Sequence, residues 1–185
     1  LFNPADGLLY VALSTKDQVA VLDPQQPGRP PRVLAYIDTG PFPQALATLP
    51  SGDVLCVCRY EAQLGVIPRY AHLQPPAARY RRLPAGSIHG LRGVAVDLRG
   101  RYAYLAVPAE GGVREVPLSA DAPAADPRLA PTGLSPRSVR VVTDPRAPAQ
   151  QLLLVANFLG RTVTVHPLTA EGHVQAAIQT IATAA

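Results

Sequence analysis

Three residues at matching points of the chain could bind an acidic group: Gln44, Arg92 and Arg137. Each stands directly before a small residue (Ala45, Gly93 or Ser138) that opens an apolar run. A guanidinium offers a planar fork of donors that fits a carboxylate or phosphate, and an amide adds further donors. The same side chains could instead serve backbone carbonyls of a neighbouring strand, the ordinary use of half-buried donors. His89, beside Gly90, is the histidine best placed to join them, and an imidazole there could act as a base. The remaining histidines lie elsewhere in the pattern, His72 and His173 in later turns and His166 at a strand end.

Other chemistries lack their residues. Gly86-Ser87 is not followed by the glycine of a nucleophile elbow, and no Cys-x-x-Cys-His segment could attach a haem. No glycine-rich loop opens a helix to cradle phosphate. Cys56 and Cys58 are the two cysteines, spaced two apart on an expected strand. Their Cα atoms should then lie roughly 6.5–7 Å apart, at the upper edge of disulfide geometry. They read as buried thiols acting as small apolar side chains, with a metal or redox pair as the sharper alternative. The candidate positions carry no carboxylate, so neither metal nor cofactor is expected of them.

What must position these residues is a repeat. Val11, Val57, Leu105 and Val155 head four copies of one apolar pattern, stand 46, 48 and 50 residues apart and are expected at the centres of the blade cores. A period of that size, built of short strand-like runs and turn residues, marks the blades of a β-propeller. Spacing is constant within each copy and variable between copies, as in a hairpin meander whose loops tolerate insertion. Strand a is expected over 44–49, 92–98 and 137–143, and strand b over 8–13, 54–58, 102–107 and 152–157. Strand c is expected over 18–22, 63–67, 113–118 and 162–166. Strand d is clearest at 33–38 and 175–181 and weak in the middle copies, where Pro75-Pro76, Pro123, Pro127 and Pro131 intervene. The extra residues of the last copy, 144–150, read as a loop. Blades then cover about 1–40, 41–86, 87–133 and 134–185, each an antiparallel four-stranded sheet. The first copy has room for only a stub of strand a, so the chain reads as part of a larger ring of six to eight blades.

Composition agrees with an all-β fold. Twenty-one prolines and fourteen glycines, with three phenylalanines and no tryptophan, favour short strands and tight turns over long helices. The formal charge is +4, but sixteen of the seventeen basic residues are arginines scattered along the chain, Lys16 being the exception. A nucleic-acid surface would gather them into a stripe with aromatic platforms, so nucleic acid is not an expected partner. No apolar run approaches the ~18 residues of a membrane span.

The segments 9–24, 37–47, 50–57 and above all 153–165 (Leu-Leu-Val-Ala-Asn-Phe-Leu-Gly-Arg-Thr-Val-Thr-Val) resemble the YVTN family of propeller repeats. Asn157 matches the asparagine that ends the family's strand b, whereas Leu13, Arg59 and Val107 replace it in the other copies. The stretch 166–172 is also similar to a turn of lactonase-type propellers. The resemblance implies a bacterial periplasmic or extracellular module. Its partner would be another protein or the rest of its own chain, and it would act in protein interaction or structural assembly rather than catalysis. It also implies two alternatives: a lactonase-like hydrolase using His89 with Arg92 or Arg137, or a propeller accompanying a haem domain.

Overall fold

The computed structural model describes residues 1–25, 28–61, 63–84, 90–118 and 128–183. Two compact units, Leu1–Pro84 and Ala85–Ala185, each contain two four-stranded antiparallel sheets in simple meander order. In the first unit one sheet is β1 (Phe2–Asn3), β2 (Leu8–Leu13), β3 (Gln18–Asp23) and β4 (Arg32–Asp38). The other is β5 (Pro43–Thr48), β6 (Val54–Cys58), β7 (Gln63–Ile67) and β8 (Arg81–Pro84). In the second unit β9 (Val94–Val96), β10 (Tyr102–Val107), β11 (Gly112–Pro117) and β12 (Arg128–Pro131) form one sheet. Its companion is β13 (Pro136–Asp144), β14 (Ala147–Asn157), β15 (Thr162–Pro167) and β16 (Gln179–Ala182).

Alternation along the strands builds each core. In the first unit Tyr10, Val19, Val21 and Ile37 of the first sheet pack with Val54, Cys56, Cys58 and Ile67 of the second. In the second unit Tyr104, Ala106 and Val113 pack with Val139, Leu153 and Val155. Full burial of such aliphatic side chains contributes about 1.5–3 kcal/mol each. β6 and β10 are buried on both faces, as their unbroken apolar sequences require.

Polar clasps tie neighbouring sheets within each unit. Asn3 Nδ2 donates to the Gly52 carbonyl at 2.9 Å, and Arg69 donates to the Ala5 carbonyl. In the second unit the Tyr104 hydroxyl donates to the Gly172 carbonyl at 2.6 Å. Burial raises the Tyr104 phenol above its ordinary range, with Asp97 and Glu115 adding to the effect, so it stays protonated and donates.

Four expectations need correction. Val11 is not a core anchor: it is 44% exposed, whereas Val57, Leu105 and Val155 are fully buried. The two-residue strand period sends Leu8 and Tyr10 toward the second sheet and Val11 to the opposite face. Residues 144–150 are not a loop, because β13 and β14 extend into one long hairpin in which Asp144 faces Ala147 across a register irregularity. Ladder pairing satisfies backbone groups that a loop would leave to solvent. Strand a of the third sheet shortens to Val94–Val96, since Asp97 turns the chain and its carboxylate accepts the Arg101 and Tyr102 N–H groups. Strand d of the last sheet is likewise shorter than expected, and β8 and β12 are four residues each. Pro123 and Pro127 lie outside the described residues.

The hairpin tip provides a check on strand phase. Arg146 is exposed beyond the last pair, its N–H bonded to Asp144 Oδ1 at 2.9 Å. Arg146→Asp should therefore leave stability within about 0.5 kcal/mol of wild type in a urea melt.

Candidate functional site

Gln44 and Arg137 occupy one special backbone position. In the pairing of β5 with β6 the register jumps between Pro43 and Ala45, and in that of β13 with β14 between Pro136 and Ser138. Gln44 and Arg137 are the extra residues of these two bulges. A bulge leaves its residue out of the ladder and re-aims the side chain. The turns leading into them also match: Phe42 and Ser135 hold φ of 58° and 55°, and each precedes a proline. Positive φ costs a non-glycine residue about 1–3 kcal/mol, so surrounding bonds must hold it. Phe42 N–H donates to Asp17 Oδ1 at 2.8 Å, and its carbonyl accepts from Arg59 N–H at 3.0 Å. The Ser135 carbonyl likewise accepts from Phe158 N–H at 3.0 Å.

In the second unit this geometry opens a cleft of about 670 Å³ over the end of the last sheet, lined by Arg137, Asn157, Phe158, Leu159, Arg161 and Thr183 among others. Arg137 lies over the Phe158 ring, its guanidinium carbon 3.9 Å from the centroid. Such stacking is worth ~0.5–1 kcal/mol at an exposed site and leaves the edge of the fork open to an anion. Arg161 brings a second cation from the β14–β15 turn, where it holds φ of 48° and accepts Thr183 N–H on its carbonyl at 2.9 Å. Phe158 and Leu159 expose 58% and 68% of their surface, an apolar wall beside two positive charges.

Asn157 forms the floor. It is 2% exposed, and its amide donates to Thr164 Oγ1 at 3.1 Å and Thr162 Oγ1 at 3.3 Å. Gly133 makes room for it, since a side-chain carbon there would stand 2.6 Å from Asn157 Cγ. The asparagine thus joins strand ends and holds the turn that carries Phe158 and Arg161, rather than facing a ligand.

The other candidates are placed apart from this cleft or differently from it. Gln44 is half-buried and lines a separate hollow of about 340 Å³ in the first unit with Leu1, Tyr10, Val11, Ala12 and Leu46. Arg92 is half-buried ahead of β9, with its N–H bonded to the Ala106 carbonyl at 3.1 Å, and lines neither hollow. His89 lies outside the described residues. His166 is structural: Nε2 lies 3.0 Å from Thr164 Oγ1 and Nδ1 2.9 Å from the Gln175 carbonyl. His173 Nδ1 lies 2.9 Å from the buried Glu115 carboxylate. Neither Arg161 nor the Phe158 ring is marked out by its spacing in the repeat. Among the described residues no cluster of three or more His, Cys, Asp or Glu side chains could hold a metal ion. No helix is long and apolar enough to cross a membrane among them.

No family model and no curated protein matches the sequence. Solved structures do match the fold. A candidate 6-phosphogluconolactonase from Bacteroides uniformis superposes with a TM-score of 0.72 at 17% identity, over 99% of this chain and 54% of its own. The periplasmic gluconolactonase PpgL of Pseudomonas aeruginosa gives 0.70 at 19% identity, over 99% and 53%. The virginiamycin B lyase of Staphylococcus aureus gives 0.67 at 9% identity, over 100% and 55%. The chain is built of β-propeller blades. It spans about half the length of each of these three structures.

Proposed function

We propose that this chain is part of a bacterial propeller of the YVTN type that works as a binding module in the periplasm or at the cell surface. Its last-blade cleft would take an acidic segment of a partner protein. The observation that carries this reading is the pairing of Arg137, over the Phe158 ring, with Arg161 at one open cleft. Two guanidiniums beside an apolar wall suit a carboxylate flanked by an aliphatic or aromatic group. Arginine and aromatic side chains are also the residues that dominate binding energies at protein interfaces. The cleft lining supplies two positive charges and threonine hydroxyls, a set suited to holding an acidic ligand. Constant strands with variable turns make a rigid platform for such a site.

A fluorescent peptide rich in Asp, Glu and Leu should bind the chain and weaken as salt is raised. The Arg137→Ala/Arg161→Ala double variant should lose at least about tenfold in affinity, each arginine contributing ~1 kcal/mol or more. Equal affinity for wild type and variant would remove the site from this cleft.

A second reading draws on the gluconolactonase neighbours: a sugar-lactone hydrolase in which Arg137 and Arg161 steady the developing oxyanion. Turnover of gluconolactone by the chain, abolished in the same double variant, would favour that reading over the first.

A further inference from the structure

Cys56 and Cys58 lie side by side on one face of β6, inside the core of the first unit, and both are free and fully buried. Their surroundings are more polar than packing requires. The two Sγ atoms are 3.9 Å apart, and Cys58 Sγ is also 3.9 Å from the Tyr80 hydroxyl. A third group comes from the turn after β6. Glu61 pairs one carboxylate oxygen with Arg82, while its Oε2 is buried and has no hydrogen-bond partner among the described residues. A side-chain carbon at Gly40 would overlap that Oε2 and stand 3.2 Å from Cys58 Sγ. Glycine at position 40 thus leaves the room that the Glu61 carboxylate fills beside Cys58.

We propose that Cys56 and Cys58 are a dithiol–disulfide couple oxidised by small hydroperoxides, with Cys58 attacking and Cys56 resolving. Cys58 has both the Cys56 thiol and the Tyr80 hydroxyl as possible donors, and Cys56 has the Cys58 thiol. The hydrogen bond from Cys56 holds the Cys58 thiol below its ordinary pKa, with Tyr80 assisting. The same bond, with burial, pushes Cys56 up. Thiolate character is what makes a cysteine react with peroxide. The Cys58 thiolate attacks one peroxide oxygen; the S–O bond forms, the O–O bond breaks, and the departing alkoxide or hydroxide takes up a proton. Cys56 Sγ then attacks Cys58 Sγ. The S–S bond forms, the S–O bond breaks, and the leaving hydroxide carries off the Cys56 proton as water. Two thiols and a hydroperoxide thus give a disulfide, an alcohol or water, and water. Full burial restricts the oxidant to a small one. Spacing of two residues on a strand puts the Cα atoms at roughly the ~6.8 Å limit for a disulfide, so the bridge should be strained and readily reduced.

The test is hydrogen peroxide titration of the reduced wild-type chain, read by intact mass and by alkylation after denaturation. Both thiols should disappear together, with a mass loss of two hydrogens on a monomer that dithiothreitol reverses. Cys56→Ser should stop at a sulfenic acid on Cys58 that dimedone traps, and Cys58→Ser should slow oxidation at least about tenfold. Thiols that survive in the folded wild type but oxidise in the urea-denatured chain would overturn the proposal. So would intermolecular disulfides in place of the monomer product. The wild-type arm needs no variant to fold.

Discussion

Val155→Asp should destabilise the chain by on the order of 4 kcal/mol, the largest loss expected of any single strand substitution. Val155 is fully buried at the middle of β14, opposite Val139 on one side and Thr164 on the other. Its companions in the core are Tyr104, Ala106, Val113 and Leu153. None of these apolar groups can bond a carboxylate, and the Tyr104 hydroxyl is already committed to Gly172. The aspartate must either remain charged without water or take up a proton at a cost, and both routes favour the unfolded chain. Val155→Ala separates the charge from the lost volume and should cost about 1.5–3 kcal/mol. Val11→Asp supplies the sharper control, since the two valines head equivalent copies of the repeat. At 44% exposure Val11 leaves a carboxylate access to solvent, and the loss in this chain should stay near 1 kcal/mol. Urea melts of the three variants decide the matter. Equal losses for Val155→Asp and Val11→Asp would mean the burial pattern is wrong.

The contrast between those valines shows where sequence reasoning reaches and where it stops. Strands b and c are legible because alternation and turn residues are local. β2, β6, β7 and β10 begin and end as the spacing predicts. Whether both faces of a strand are covered is not local, and Val11 lost its expected place for that reason. Proline and alanine made 144–150 look like a loop, yet the pairing begun at Val139 and Val155 carries the ladder outward past them. The site divides the same way. Gln44 and Arg137 can be picked out because a proline and a small residue bracket each of them. Their aim cannot, because it comes from a bulge whose effect depends on the partner strand. Phe158 supplies the stacking face from a turn some twenty residues away. Likewise the spacing of Cys56 and Cys58 is visible in the sequence, whereas Tyr80 and Glu61 arrive from the approach to β8 and a turn that no spacing rule ties to them.

Glu115 is the residue whose importance is least visible in the sequence and should be among the largest in the molecule. It is a charged residue on β11, yet it is 2% exposed. Its Oε1 accepts the Val174 N–H at 2.8 Å, and its Oε2 lies 2.9 Å from His173 Nδ1. Arg128 on β12 stands 3.7 Å away and offsets part of the buried charge. The carboxylate thus pins the turn after β15, closed by the Leu168–Val174 bridge, onto the neighbouring sheet. Glu115→Ala leaves the Val174 N–H without its acceptor in a position 3% exposed, and should cost about 3 kcal/mol. Glu115→Gln keeps one carbonyl oxygen for that N–H while giving up the charge, and should cost about half as much. Hydrogen exchange at the Val174 amide distinguishes a lost bond from a general loosening. Its protection should collapse in Glu115→Ala, persist in Glu115→Gln, and leave the amides of β10 unchanged in both. Retained protection in Glu115→Ala, with wild-type stability, would show that the turn is held by its own bridge and not by the buried carboxylate.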